Sequence, residues 1–199
     1  MHDDGKRTAN LLGAAALTVS DRMTTAAAAA AGASVSGTAA LVTLRGAEGI
    51  GVTELGRRIG LSQPACARML DQLAARGLVQ RERGGGRAVA LRLTGAGAAA
   101  AARAEEARQE ELRRVLSGLS GAEGAALGAA LERLLAGLYG DVGSEDVLCR
   151  LCDRGACLAD GHVCPVGQAA RDERDAAGPG GRRGTGTGKT RGGARERGG

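Results

Sequence analysis

Apolar residues recur along this chain with the spacing of helices, and one short stretch breaks that rhythm. From about Arg7 to Ala31 the sequence is dominated by alanine, the best helix former, until Gly32 interrupts it. Ser36 or Thr38 is placed to cap a second helix with Leu41, Val42 and Leu44 on one side. After GAEG, Thr53 is read as the N-cap of a short third helix. Glu54 suits its positive end, Leu55 and Ile59 lie one turn apart, and Gly60 closes it. Ser62 starts a fourth helix, with Pro64 tolerated in its first turn. There Cys66, Met69, Leu70 and Leu73 fall at i, i+3, i+4 and i+7, a single apolar stripe.

Past Gly77 the period changes. Val89, Leu91 and Leu93 alternate with Ala88, Ala90 and Arg92, so LVQRER and AVALRL around GGGR predict a β-hairpin. Helical spacing then resumes. Thr94 caps a fifth helix running to about Leu119, with the charges of AEEARQEELRR on its exposed face. Ser120 caps a sixth, in which Leu127, Leu131, Leu134 and Leu138 form a narrow packing seam. Two short helices joined by a tight turn containing glycine are the helix-turn-helix pattern, here followed by a hairpin.

Composition narrows the function classes. The chain has 199 residues, enough for one domain and an appendage. Alanine and glycine dominate, Phe and Trp are absent, and Tyr139 is the single aromatic. That excludes RNA-recognition modules built on aromatic platforms and argues against a β-sandwich or barrel. The net charge of +5 is less informative than its distribution. The segment from Ala176 to Gly199 carries 6 basic residues and 1 acid, and Ile50 to Thr94 carries 8 and 3. Gly95 to Asp175 carries 9 and 14. The helix-turn-helix and hairpin therefore form a basic zone that the following helices mask in the total.

No run approaches the ~20 apolar residues of a membrane span, and MHDDGKRTAN lacks the pattern of a secretory signal. A cytoplasmic protein without a membrane partner is expected. Its five cysteines are then thiols or metal ligands, not disulfides.

The stretch TELGRRIGLSQPACARMLDQLAARGLVQRERGGGRAVALRLTGAG, Thr53 to Gly97, resembles the MarR family of bacterial transcription regulators. Leu61 to Ala65 match the opening of that family's recognition helix, and Gly77 to Val79 its lead into the wing. Arg87 matches the wing tip and Leu91 to Gly97 the closing motif. One departure is Gly86, where the family usually has an Asp orienting the wing-tip Arg. The helix order extends the likeness to about residues 7–140. The resemblance implies a mainly α protein, a winged helix-turn-helix domain with a two-stranded β-wing, flanked by long dimerisation helices. It places an N-terminal dimerisation helix at 1–35, the DNA-binding domain at 36–97 and C-terminal dimerisation helices at 98–140. A Cys-rich metal-binding extension follows at 141–170, similar to one on some actinobacterial MarR-like regulators. Residues 171–199 are expected to be a disordered Gly/Arg-rich tail.

With Cys66 to Leu73 turned inward, Pro64, Arg68, Asp71 and Ala75 face outward. Recognition helices meet bases with their N-terminal residues, so Ser62, Gln63, Pro64, Ala67 and Arg68 are the expected DNA contacts. Ser62 and free backbone N–H groups suit a phosphate; Gln63 and Arg68 suit adenine and guanine edges. Arg83 and Arg87 in the wing suit phosphates or a narrow minor groove.

Four cysteines lie within sixteen residues, Cys149-x2-Cys152-x4-Cys157-x6-Cys164. Four thiolates satisfy tetrahedral zinc, with His162 able to replace one; an iron–sulfur cluster is the alternative, and unmetallated thiols the third case. Cys66 reads as a small buried thiol. The family's peroxide sensors carry their cysteine near the first helix beside tyrosines, and residues 1–49 here contain none. GTGTGKT fails as a phosphate loop because Arg183 stands where glycine is required. No nucleophile–base constellation is visible, so no catalysis is expected. The expected function is a homodimeric repressor on a palindromic operator in double-stranded DNA, modulated by a small-molecule effector or the cysteine centre. The alternative is a redox or metal sensor whose winged helix mediates protein contacts.

Overall fold

The computed structural model describes residues 3–83 and 89–177. Helix α1 (Asp3–Ala31) ends at Gly32, whose positive φ of 62° turns the chain. Helix α2 (Val35–Gly46) lies at the centre of the core, with Leu41, Leu44 and Ala40 fully buried. It packs on α1, on α3 (Val52–Ile59), on α4 (Gln63–Ala75) and on α5 (Gly95–Leu116). Helices α1 and α5 run alongside each other and bury only small side chains, Ala27 and Ala31 from one and Ala100, Ala101 and Ala104 from the other. Alanine lets two helix axes approach closely, so a chain without large aromatics still excludes water here. Arg22 pairs with Glu111 across this contact at 2.9 Å, and Arg103 Nε donates to the Ala30 carbonyl at 3.1 Å.

The hairpin is antiparallel, β1 (Val79–Arg83) against β2 (Val89–Leu93), with Val79 opposite Leu93 and Arg81 opposite Leu91. Its inner end is tied to the α2–α3 loop: Gly49 N–H donates to the Leu91 carbonyl and Leu91 N–H to the Ile50 carbonyl, at 2.9 and 3.0 Å. Leu91 and Leu93 are buried as their alternation predicts, whereas Val89, nearer the tip, is exposed.

Local details differ from the sequence reading. Ser34, and neither Ser36 nor Thr38, caps α2; its hydroxyl accepts from Gly37 N–H at 3.1 Å because the extended backbone begins one step earlier. Thr38 lies inside the helix, buried, and its Oγ1 has no partner among the described residues. Gly51 rather than Thr53 is the N-cap of α3, since pairing of Gly49 and Ile50 with β2 sets where the helix can begin. Helix α5 stops at Leu116, and α6 (Gly121–Val142) opens on a full capping box between Ser120 and Glu123.

Past α6 the chain forms α7 (Glu145–Leu148), α8 (Arg154–Leu158), a 3-10 turn at Ala159–Gly161 and α9 (Pro165–Ala177). Helix α9 therefore runs through residues 171–177, which composition alone assigned to the unstructured tail. Val166 and Ala170 pack against Tyr139 of α6, and the Tyr139 hydroxyl donates to Glu173 at 3.0 Å. Residues 178–199 lie outside the described residues. No single described helix is long and apolar enough to cross a membrane.

The tightest backbone approach joins α5 to the end of α4. Thr94 caps α5 by accepting from Gly97 N–H at 3.0 Å, while its hydroxyl donates to the Gly77 carbonyl at 2.6 Å. A Cβ on Gly97 would stand 1.9 Å from the Leu78 carbonyl oxygen. Gly97→Ala should therefore destabilise the fold by about 3 kcal/mol or more in denaturant unfolding. Gly95→Ala, whose Cβ meets nothing within 4 Å, serves as the control and should stay near wild type. Equal midpoints for the two variants would contradict this packing.

Candidate nucleic-acid interface and thiol centre

The expected inward stripe of α4 is observed: Cys66, Met69, Leu70 and Leu73 are buried. The Cys66 thiol donates to the Val52 carbonyl at 3.5 Å, and burial pushes its pKa up, so it is a packed, unreactive thiol. Its neighbour across the turn is Gly56, where a Cβ would stand 3.0 Å from the Leu61 carbonyl oxygen. That glycine lets α3 and α4 cross closely. Gly60, at φ 72°, supplies the left-handed turn between them.

Outward, Ser62, Gln63, Pro64 and Arg68 are exposed and Ala67 is half-buried. Ser62 is the N-cap of α4 by backbone geometry, yet its side chain makes no capping hydrogen bond. Its hydroxyl and the first N–H groups of a 13-residue helix are directed to solvent at one end of α4, the arrangement that suits a phosphate oxygen. Arg68 lies on that same exposed face and forms no ion pair among the described residues. Of Arg83 only the strand backbone is described, and Arg87 and Gly86 lie outside the described residues.

The basic zone resolves into two kinds of arginine. Arg57 and Arg58 bind Glu54 at 2.8 and 2.7 Å, Arg81 binds Asp71 at 2.8 Å, and Arg92 binds Glu82 at 2.6 Å and Glu48 at 3.0 Å. Every acid between Ile50 and Thr94 is thereby engaged. Arg76 closes α4 at the opposite end from Ser62, beside Gly32. Arg68 is left as the described cation of α4 that is both exposed and uncommitted near the N-terminal end.

A second site lies behind α3. Cys149, Cys152, Cys157 and Cys164 all line one cavity of about 150 Å³. Cys149 follows α7, Cys152 N–H donates to the Cys149 carbonyl at 2.8 Å, Cys157 is on α8, and Cys164 precedes α9. The neighbouring Cys152 lowers the pKa of Cys149, while Cys149 and burial raise that of Cys152; burial pushes Cys157 up to about 11. Among the described residues no set of three His, Cys, Asp or Glu side chains already stands at metal-ligand spacing. His162 is exposed and is not part of the cavity lining.

Sequence reasoning missed the link between the two sites. Asp146, on α7, accepts from Arg57 at 2.7 Å and stands 3.9 Å from Arg58. No sequence motif signals this pairing, because 89 residues separate Arg57 from Asp146.

Comparison with protein family models matches residues 34–85 to the MarR family. That segment, about a quarter of the chain, is similar to the MarR family. Among solved structures it is similar to the MarR family protein Rv2887 of Mycobacterium tuberculosis, at 26% identity and a TM-score of 0.53, covering 63% of this chain and 91% of that one. Rv2887 has also been solved in complex with p-aminosalicylic acid, a structure matching at 26% identity and a TM-score of 0.52. The apo form of MarR from E. coli matches at 25% identity and a TM-score of 0.53, covering 62% and 96%. YusO of Bacillus subtilis, at 21% identity and a TM-score of 0.57, covers 67% and 97% and shares the fold. No curated protein matches the sequence. The matched segment runs from α2 through β1, and its fold is shared with the MarR family structures.

Glu54 gives the MarR-type domain a testable pH signature. Hydrogen bonds from Arg57 and Arg58 hold its carboxyl down at about 2, against about 4.3 in an unfolded chain. Its contribution is therefore complete above the unfolded value and lost as pH falls toward 2. Glu54→Gln should flatten the acid limb of the stability profile below about pH 5, by about 1 kcal/mol or less because the group is partly exposed. Superimposable wild-type and variant profiles would contradict the pairing.

Proposed function

We propose that the protein is a sequence-specific transcriptional repressor that binds a palindromic operator as a homodimer in the cytoplasm. The observation that carries this reading is the exposed N-terminal end of α4 within the segment that matches the MarR family, where the side chains of Ser62, Gln63 and Arg68 have no hydrogen-bond or ion-pair partner among the described residues. Arg68 reads a guanine edge and Gln63 an adenine edge in the major groove, Ser62 and the α4 N–H groups hold a phosphate, and Pro64 and Ala67 pack against the groove wall. Arg83 and Arg87 are assigned to the flanking backbone or minor groove. No catalytic step is assigned.

The dimer reading rests on apolar surface. Leu127, Leu131, Leu134 and Leu138 line α6 yet remain 37–47% exposed, and Leu11, Leu12 and Leu17 are exposed on α1. A second copy covering these faces places two α4 helices about one helical turn of DNA apart. A small ligand that changes that separation lowers operator affinity. Support for such an effector comes from the similar Rv2887, whose solved complex holds p-aminosalicylic acid.

In a mobility-shift titration against the DNA upstream of its own gene, the wild type should form a specific, salt-sensitive band. Arg68→Ala should weaken that band by about 1–3 kcal/mol, roughly five- to 150-fold, with little loss on unrelated DNA. Wild type that binds both DNAs equally would overturn the reading. In sedimentation, the wild type should be a dimer and the double variant Leu131→Gln, Leu134→Gln a folded monomer; a monomeric wild type at micromolar concentration contradicts the interface.

A further inference from the structure

The segment from Ser144 to Ala177 holds together on very little. Its own core comprises Val166 and Ala170 against Tyr139, and Leu151 alone is buried in the main core. Helices α7 and α8 have four and five residues, far below the length at which a helix is stable by itself. Units of this size usually need a staple, a metal or a disulfide, to stay folded. The four thiols converge from all of its short elements. They enter one cavity from the end of α7, the turn after it, α8 and the start of α9.

The surroundings suit thiolates. Gly167 N–H donates to the Cys164 sulfur at 3.4 Å, at the N-terminal end of the 13-residue α9. Arg58, Arg150 and Arg154 line the same cavity, and the charge of Arg108 acts on Cys152. Arg108 Nε is itself buried and without a hydrogen-bond partner among the described residues. Glu145 and Asp146 line the cavity too, Asp146 being paired with Arg57, and the cations partly offset the charge of four thiolates around a dication. Four sulfur donors select zinc or an iron–sulfur cluster over hard cations. Zinc needs nothing beyond the four thiolates, whereas an iron–sulfur cluster needs inorganic sulfide as well.

We propose that Cys149, Cys152, Cys157 and Cys164 bind one zinc ion as a structural tetrathiolate that staples residues 144–177 together and fixes α7 against α3 of the helix-turn-helix. The ion draws the four sulfurs into its coordination sphere and releases the thiol protons. The consequence for α3 runs through Asp146, three residues before Cys149, which holds Arg57. The cavity wall opposite the thiols is formed by Val42 and Gly46 of α2 and by Arg58 of α3, so the centre abuts the DNA-binding unit directly.

Full-length protein purified under anaerobic, reducing conditions should contain one zinc per chain. After removal of metal, titration with Zn²⁺ or Co²⁺ alone should saturate at one ion, cobalt giving the visible spectrum of a tetrahedral thiolate complex. Hydrogen exchange should slow across residues 144–177 and on α3 when zinc binds. Cys152→Ser should abolish stoichiometric loading while the amides of α2 and α4 keep their protection, which shows that the main core is still folded. Asp146→Asn should retain one zinc but lose the slowing on α3. A brown, iron-containing protein would overturn the proposal, as would disulfides among these cysteines or a reduced chain that binds no stoichiometric metal. These readouts do not depend on DNA, so they stand or fall separately from the repressor reading.

Discussion

The close approach of Gly97 to the Leu78 carbonyl governs how the parts of this protein are joined. At that point α5 begins, α4 has just ended and the wing is about to start, and no side chain fits between the two backbones. Thr94 completes the junction by capping α5 with one lone pair while donating its proton to Gly77. Helix α5, the end of α4 and the hairpin are therefore joined at one point.

Charge pairing then decides which part of that unit faces a partner. The acids of the basic zone are spent on Arg57, Arg58, Arg81 and Arg92, which brace α3 and the hairpin. These pairs are exposed and each contributes little to stability. Their larger effect is selective, since they leave Arg68 as the cation of α4 directed to solvent. Asp146 extends the same pairing to the cysteine-bearing segment, so the two candidate sites share the arginines of α3.

Helices, hairpin and the inward face of α4 were legible in the sequence because each rests on periodicity over a few residues. Cys66, Met69, Leu70 and Leu73 announce their own burial by spacing. Caps were read less well: Ser34 and Ser36 both suit an N-cap, and what selects Ser34 is the extended backbone after Gly32, a tertiary matter. Helix α9 was hidden because DERDAA is polar and its inward residues, Val166 and Ala170, find their partner on α6, more than twenty residues earlier. The Arg57–Asp146 contact was invisible for the same reason. The thiols were recognisable as a group from spacing alone, whereas their position behind α3 was not.

The central claim is that the exposed end of α4 reads DNA in successive major grooves as part of a two-fold assembly. Hydroxyl-radical footprinting of the wild-type protein on the DNA upstream of its gene tests it most directly. The account predicts protected backbone in symmetric patches whose centres lie about 10 base pairs apart, on one face of the duplex. A single unpaired patch, or uniform protection that spreads with concentration, would contradict it.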